Sequence, residues 1–214
     1  MRGLKELAHR LLWGEPQERR RRGLLQLHQI LEGTPFRGKY FITMGFLLGC
    51  VRDGAPIPWD RDFDFGFLDE DLPHFFEAAR ELRARGYDLR PAQINNDGRI
   101  TKWAFKLQGV KYEFFLFERH AGNVRWFYHR RKPPLELTNE VPWRGLTEQE
   151  VYGRKWLRPA NADEVLTRIY GDWRKPDPHY VYWRDCTATV ERRPWKGQRR
   201  RWGRNGPGIT SDRS

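Results

Sequence analysis

Cysteine is nearly missing from this 214-residue chain: Cys50 and Cys186 stand far apart and in no CxxC arrangement. That scarcity leaves neither a disulfide framework nor a zinc cluster to argue from, and it suits a reducing compartment. Long apolar runs are missing as well. The leucines of "MRGLKELAHRLLWGEP" fall at helical spacing but are interrupted by Glu6, His9 and Arg10, and no later run approaches membrane-spanning length. The expectation is a soluble protein, cytoplasmic, with peripheral contact to the inner face of a membrane through its basic end. Acids are in deficit, with 28 Asp and Glu against 40 Lys and Arg, a formal net charge of +12. This excess gives weight to phosphate-bearing partners (a nucleotide, nucleic acid or an anionic membrane surface) without choosing among them.

Aromatic residues are plentiful: ten Trp and 13 Phe argue against disorder in the middle of the chain. The length suits one substantial core with additional terminal segments. Helices are expected over residues 3–13 and 16–32, the second carrying Leu24, Leu25, Leu27, Ile30 and Leu31 behind the run Arg19 to Arg22, which reads as a solvated face. "KYFITMGFLLGCVRDG" reads as a short strand, a break at Gly45 and a helical turn ending near Gly54. "LDEDLPHFFEAARELRARGY" is a helix with acids at its start. Strands over 87–94, 100–108, 110–118 and 123–128 follow, separated by turn signals that suit a meander of hairpins. Residues 130–160, with Pro133, Pro134, Pro142 and Pro159, read as mostly loop. A last helix begins at Asn161 with Glu164 completing a capping box, and stops at Gly171. From about residue 187 the composition turns to Arg, Gly and Pro; residues 191–214 hold eight basic and two acidic residues, and a disordered tail is expected.

The chemistry concentrates in "PIPWDRDFDFGF", residues 56–67, where Asp60, Asp62 and Asp64 fall among Trp59, Phe63, Phe65 and Phe67. Residues two apart on a strand project to one face about 6.6 Å apart. Asp62 and Asp64 therefore point together while the phenylalanines face a core. Two such carboxylates raise one another's pKa unless a cation holds both ionised, and magnesium, which takes hard oxygen ligands, is the natural candidate. Glu113, between Tyr112 and Phe114 in "GVKYEFFLFE", is a third acid for a neighbouring strand, or else the partner of a cross-strand lysine such as Lys102 or Lys106. Asp60 ranks lower as a ligand, since Pro58 and Trp59 indicate a chain still turning. Trp59 either stacks on a base or packs in the core, and packing is the preferred reading. Arg52 follows a glycine turn near the acids and is a phosphate candidate. Tyr170 and Asp172 in "YGDW" either close the site or form an ordinary helix end.

"MGFLLGCVRDGAPIPWDRDFDFG" resembles the signature of the LicD/fukutin family of phosphotransferases, "YEFF" resembles that family's strand with one acid between hydrophobics, and "VLTRIYGDWRKPDP" resembles its closing helix. The matches keep the family's order across about residues 40–185. The resemblance implies an α/β, nucleotidyltransferase-like (polymerase-β-type) mixed sheet flanked by helices, occupying residues 39–186 between an N-terminal helical segment (1–38) and the basic tail (187–214). It implies an enzyme that moves a phosphorylated alcohol, such as phosphocholine or ribitol phosphate, from a CDP-alcohol donor to a sugar hydroxyl of a glycan or glycolipid acceptor. Carried over by position, Asp62 and Asp64 hold Mg2+ or Mn2+, Glu113 is the third catalytic and metal-holding acid, and Gly45 and Arg52 contact the donor phosphates; the reading of the residues adds Asp60 as a further ligand and Trp59 and Asp172 as candidate donor contacts. Phe46 departs from the pattern, standing where the family carries Ser or Thr. Two rivals remain: a nucleotidyltransferase using an NTP on a small molecule or RNA end, and a non-catalytic nucleic-acid-binding relative. The intact acids weigh against the latter.

Overall fold

The structure is a computed structural model that describes residues 16–197 and the backbone of Arg199 and Arg200. The helix expected over 3–13 and the end of the tail, from residue 201, lie outside the described residues. Helix α1 (Pro16–Glu32) leads to β1 (Tyr40–Ile42), α2 (Met44–Arg52) and β2 (Asp62–Leu68). A single 3-10 turn (Asp69–Asp71) then opens α3 (Leu72–Ala84). The acids at its start are therefore helix-entry residues, as the sequence indicates.

Strands β3 (Asp88–Leu89), β4 (Ala92–Ile94), β5 (Ile100–Leu107), β6 (Val110–His120), β7 (Asn123–Arg131) and β8 (Pro134–Pro142) follow. A separate hairpin, β9 (Leu146–Val151) and β10 (Arg154–Pro159), precedes α4 (Ala162–Tyr170), the short α5 (Tyr182–Asp185), β11 (Thr189–Pro194) and β12 (Arg199–Arg200). The main sheet runs β11-β8-β7-β6-β5-β4-β12, with β2 joined to β6, β1 to β2 and β3 to β5. Only β2 and β6 among these pair in parallel; the sheet is mixed and helices flank it. No helix among the described residues is long and apolar enough to cross a membrane.

Alternation builds the core. On one face of β2, Phe63, Phe65 and Phe67 are buried, with Phe65 stacked on Phe114 of β6 at 5.1 Å and Phe67 on Phe75 of α3 at 4.5 Å. On the other face the acids of β2 give way to Gly66, where a Cβ would lie 2.4 Å from the Phe41 ring and 2.7 Å from Phe117. Absence of a side chain there lets two aromatic rings close the core right behind the carboxylates.

Three expectations are corrected. Residues 134–159 are largely strand, because Pro134 opens β8, Pro142 closes it and Pro159 closes β10, positions at which a missing N–H interrupts no ladder. Asn161 donates its side-chain amide to Glu164 at 2.9 Å and to the Pro142 carbonyl at 3.0 Å, with no side-chain cap on the helix backbone.

The third correction concerns the tail. Residues 189–194 pair with β8 instead of starting a disordered segment. A polar cluster fastens them: Glu136 accepts from His129 at 3.0 Å, from Arg193 at 2.7 Å and from the Asn96 backbone N–H at 2.8 Å. Trp195 is buried against the His129 ring and donates to the Ile94 carbonyl at 2.9 Å. Composition described a basic segment, but the side chains of Thr189, Glu191, Arg192, Arg193 and Trp195 all found hydrogen-bond partners.

Burial raises the Glu136 pKa, but hydrogen bonds from His129, Arg193 and Asn96 outweigh it and leave the carboxyl below its usual range. Its contribution to stability is thus complete above the unfolded carboxyl value and is lost as pH falls through the depressed folded one. Glu136→Ala is expected to cost about 3–5 kcal/mol at pH 7, as removal of one partner from a buried ion pair does. The difference from wild type narrows on acidification; denaturant melts at pH 7 and pH 3 measure both, and equal stability at pH 7 contradicts the staple.

Candidate active site

Strands β2 and β6 run side by side with Asp62 opposite Lys111 and Asp64 opposite Glu113. In a parallel pair, registered residues share a face, so all four side chains emerge together. One oxygen from each of Asp62, Asp64 and Glu113 lies within 4.8 Å of the others. Lys111 bridges Asp62 and Glu113, reaching the latter at 3.0 Å, and Lys102 of β5 meets the other Glu113 oxygen at 2.8 Å. Both readings of Glu113 therefore hold: it joins the two aspartates, and it pairs with Lys102 in preference to Lys106.

The lysines do not balance the site. Burial raises the pKa of Glu113, but Lys102 and Lys111 overcome it and hold the group below its ordinary value. Asp64, 8% exposed and touched by neither lysine in an ion pair, goes the other way: burial first, then the charges of Asp62, Glu113 and Asp60, push it well above the usual range. Burial and Asp62 raise Asp60 to about 6. Four carboxyl groups thus face two ammonium groups, so that with all four ionised the all-oxygen site is short of two positive charges. Mg2+ or Mn2+ fits that deficit in both charge and ligand preference.

The start of α2 completes the floor. The Thr43 N–H donates to the Asp64 carbonyl at 3.0 Å, tying the helix entrance to β2. Met44 adopts φ 48°, a left-handed conformation that a non-glycine residue holds at a cost of about 1–3 kcal/mol. A Cβ on Gly45 would sit 2.5 Å from Asp60 Oδ2, so only glycine leaves the acids undisturbed. Asp60 is itself held by the chain: its Oδ1 accepts the Arg61 N–H at 2.8 Å. Arg20 of α1 donates to the Pro58 carbonyl at 2.9 Å and lies over the Phe63 ring. One member of the arginine run expected on a solvated face thus anchors the loop that delivers the aspartates.

Asp60, Asp62, Asp64, Glu113, Lys102 and Gly45 line a cavity of about 330 Å³ walled by Tyr128, Tyr170, Tyr180 and Tyr182. The Tyr180 hydroxyl donates to the Ile169 carbonyl at 2.8 Å, and the Tyr182 hydroxyl accepts from Trp126 at 3.0 Å. A larger cavity of about 570 Å³ beside the β9–β10 hairpin contains none of these acids; chemistry, not size, locates the site.

Arg52 and Trp59 line a neighbouring cavity instead, sharing Tyr170 and Tyr180 with the first. Arg52 makes a two-pronged contact with Asp53 at 2.9 and 2.8 Å. Trp59 is 76% exposed, which overturns the packing expectation: the loop it occupies leaves the core before β2 begins. Asp172 lines neither cavity; it is mostly exposed and pairs with Lys175 at 2.9 Å. Phe46 faces away from the acids, buried against Phe63, Phe65 and Trp156. Sequence reasoning missed Lys111 and the tyrosine wall except Tyr170. The alternation "KYE" carried a signal for Lys111, two residues before Glu113; nothing local links Tyr128 to Tyr180 and Tyr182.

The family profile described as LicD/FKTN/FKRP, nucleotidyltransferase domain, matches residues 38–162, more than half of the chain. An uncharacterized protein of Rickettsia typhi is 28% identical over 71% of this chain and 47% of its own length. One of Rickettsia prowazekii is 26% identical over 71% of this chain and 56% of its own. The chain spans about half the length of these curated relatives. The crystal structure of ANT(2")-Ia in complex with adenylyl-2"-tobramycin aligns at a TM-score of 0.44 and 13% identity, over 74% of this chain and 81% of that one.

Two outcomes are expected. Asp60 and Asp64 keep protons in the folded chain that the unfolded chain loses above about pH 4, so the metal-free protein loses stability as pH rises from there, the Asp60 share being lost through about 6 and the Asp64 share well above the usual carboxyl range. Asp64→Asn removes part of that slope, raises the melting temperature in EDTA at pH 7 and abolishes both the stabilisation by MgCl2 and turnover. Melting curves at pH 5 and 7 with EDTA or MgCl2 measure this, and an unchanged magnesium response sinks the metal assignment. Phe46→Ser is expected to cost roughly 3–5 kcal/mol as an aromatic truncation in the core, with donor preference unchanged. A denaturant melt beside a donor screen checks both halves.

Proposed function

The chain belongs to the LicD/FKTN/FKRP family of nucleotidyltransferase-domain proteins, and on that premise we propose that it transfers a phosphorylated alcohol from a CDP-alcohol to a sugar hydroxyl. The family match and the acid cluster support a transferase of phosphotransferase or nucleotidyltransferase type. The observation that carries the reading is the meeting of Asp62, Asp64 and Glu113 on one face of two parallel strands beside the entrance of α2.

In this reading Asp62, Asp64 and Glu113 hold a divalent cation, Mg2+ or Mn2+. Such an ion, when bound, offsets the charge that builds on the departing nucleoside monophosphate. The backbone N–H groups at the start of α2 receive donor phosphate, an arrangement favoured at helix N-termini, and Gly45 leaves Asp60 its place beside that helix entrance. The acceptor hydroxyl oxygen bonds to the distal phosphorus as the phosphoanhydride bond to CMP breaks. Lys102 and Lys111 hold Glu113 ionised, which makes it a poor proton acceptor and leaves it the remaining lone pairs for ligation; Asp60, in the same cavity and outside the three-acid cluster, is placed to take the hydroxyl proton. The four tyrosines wall the cavity in which this transfer takes place. The net charge of +12 suits an acceptor glycan or glycolipid at an anionic membrane surface on the cytoplasmic side.

Incubation with CDP-choline, CDP-ribitol and each NTP in MgCl2, followed by mass spectrometry of the released nucleotide, tests the reading. CMP release that depends on a CDP-alcohol and disappears in Asp62→Asn is the expected result. Pyrophosphate release from an NTP, with CDP-alcohols untouched, overturns it in favour of nucleotidyl transfer.

A further inference from the structure

The cavity beside the acids has a composition that the transfer chemistry does not use. It measures about 450 Å³ and is lined by Leu48, Ile57, Trp59, Trp173, Pro176 and Pro178, with Arg52, Lys175 and Asp177 supplying charge. It meets the acid cavity at Tyr170 and Tyr180, which line both. The two spaces therefore adjoin at those two rings, and the second lies within reach of a ligand whose phosphate sits at the acids.

Trp59 is the unusual member. Trp103, Trp126, Trp156, Trp173 and Trp195 are all buried, whereas Trp59 leaves its ring in solvent at the cavity wall. An exposed indole beside a concave apolar surface is a stacking platform without its partner ring. The rim carries a readable polar group as well. Asp177 uses Oδ1 to accept the His179 backbone N–H at 2.8 Å and has a second carboxylate oxygen to offer. An acceptor-only group of this kind pairs with the exocyclic amine of cytosine and finds no donor at the matching position of uracil.

We propose that this second cavity is the nucleobase subsite of the donor, with a cytosine ring against Trp59 and its exocyclic amine donating to Asp177. The inference rests on the donor being a cytidine nucleotide, as proposed above, and adds where the base is held and which residues select it. Tyr170 and Tyr180, at the junction, border the ribose. Arg52 and Lys175, paired with Asp53 and Asp172, supply the positive charge of the same cavity.

Calorimetric titration of the full chain with CMP, UMP and AMP, in MgCl2 and in EDTA, tests the subsite without turnover. CMP is expected to bind most tightly. Trp59→Ala weakens CMP binding roughly ten-fold, the scale of one lost base–aromatic stack, while Trp59→Phe retains most of it. Because Trp59 is exposed, both variants keep the wild-type melting temperature, which separates lost stacking from lost folding. Asp177→Asn lowers the preference for CMP over UMP several-fold, since an amide can also donate to the uracil carbonyl. Unchanged CMP affinity in Trp59→Ala overturns the subsite, and so does equal or absent binding of the three nucleotides by wild type. Pyrophosphate release in the turnover assay removes the phosphorylated-alcohol reading and leaves this binding result standing. CMP binding that ignores Trp59 does the reverse.

Discussion

Four carboxylates and two lysines share one end of the β2–β6 parallel pair, and the surrounding structure serves that imbalance. Asp64 is the extreme member, buried and close to three other acids. A site of this kind does not minimise energy for the isolated fold. Desolvation penalises each charge, and Lys102 and Lys111 relieve Asp62 and Glu113 more than they relieve Asp64. With all four acids ionised, the surplus negative charge is the property that would draw a divalent cation into the cavity.

Such a site persists only because its backing is rigid. The opposite face of β2 inserts Phe63, Phe65 and Phe67 between α1, α2 and α3, with rings in contact from Phe46 to Phe75. Gly66 admits Phe41 and Phe117 on the acid-bearing face itself. Arg20 pins the approach loop from outside, and the left-handed Met44 turns the chain from β1 into α2 directly over the carboxylates. Strain and charge repulsion concentrate at the same few residues, and the aromatic core stabilises the whole against both. Tyr170, Tyr180 and Tyr182 then bring the C-terminal third of the chain to the site and Tyr128 brings β7, so the cavity is complete only when α4, the segment to Tyr182 and β7 are all in place.

The C-terminal segment also shows how a polar sequence becomes ordered. Thr189–Pro194 has little apolar surface of its own, yet it closes one edge of the sheet through β8 and anchors through Glu136, whose side chain is fully buried. One buried tryptophan, Trp195, and one charge network suffice because the ladder to β8 is already supplied by the fold. Arg193 reaches both Glu136 and Asp97, joining the edge strand to the β4–β5 connection.

How far the sequence determined this protein follows from the range of the forces involved. Alternation over two residues, helix-entry acids and glycine turns are local, so the strand at 62–68, the helix at 72–84 and the hairpins from 100 to 131 were legible. So was the common face of Asp62 and Asp64, which depends only on strand geometry. The ordered family signature added the α/β nucleotidyltransferase-like architecture and placed Glu113 with the two aspartates. Tertiary structure alone decided the rest. Parallel register put Lys111 opposite Asp62, the proline positions made 134–159 strand instead of loop, and partners about 60 residues away in sequence ordered the segment after 187. Whether Trp59 packed or projected, whether Phe46 met the acids or the core, and which tyrosines walled the cavity depended on how distant elements came together. Contacts of that kind leave no periodicity in the chain that makes them.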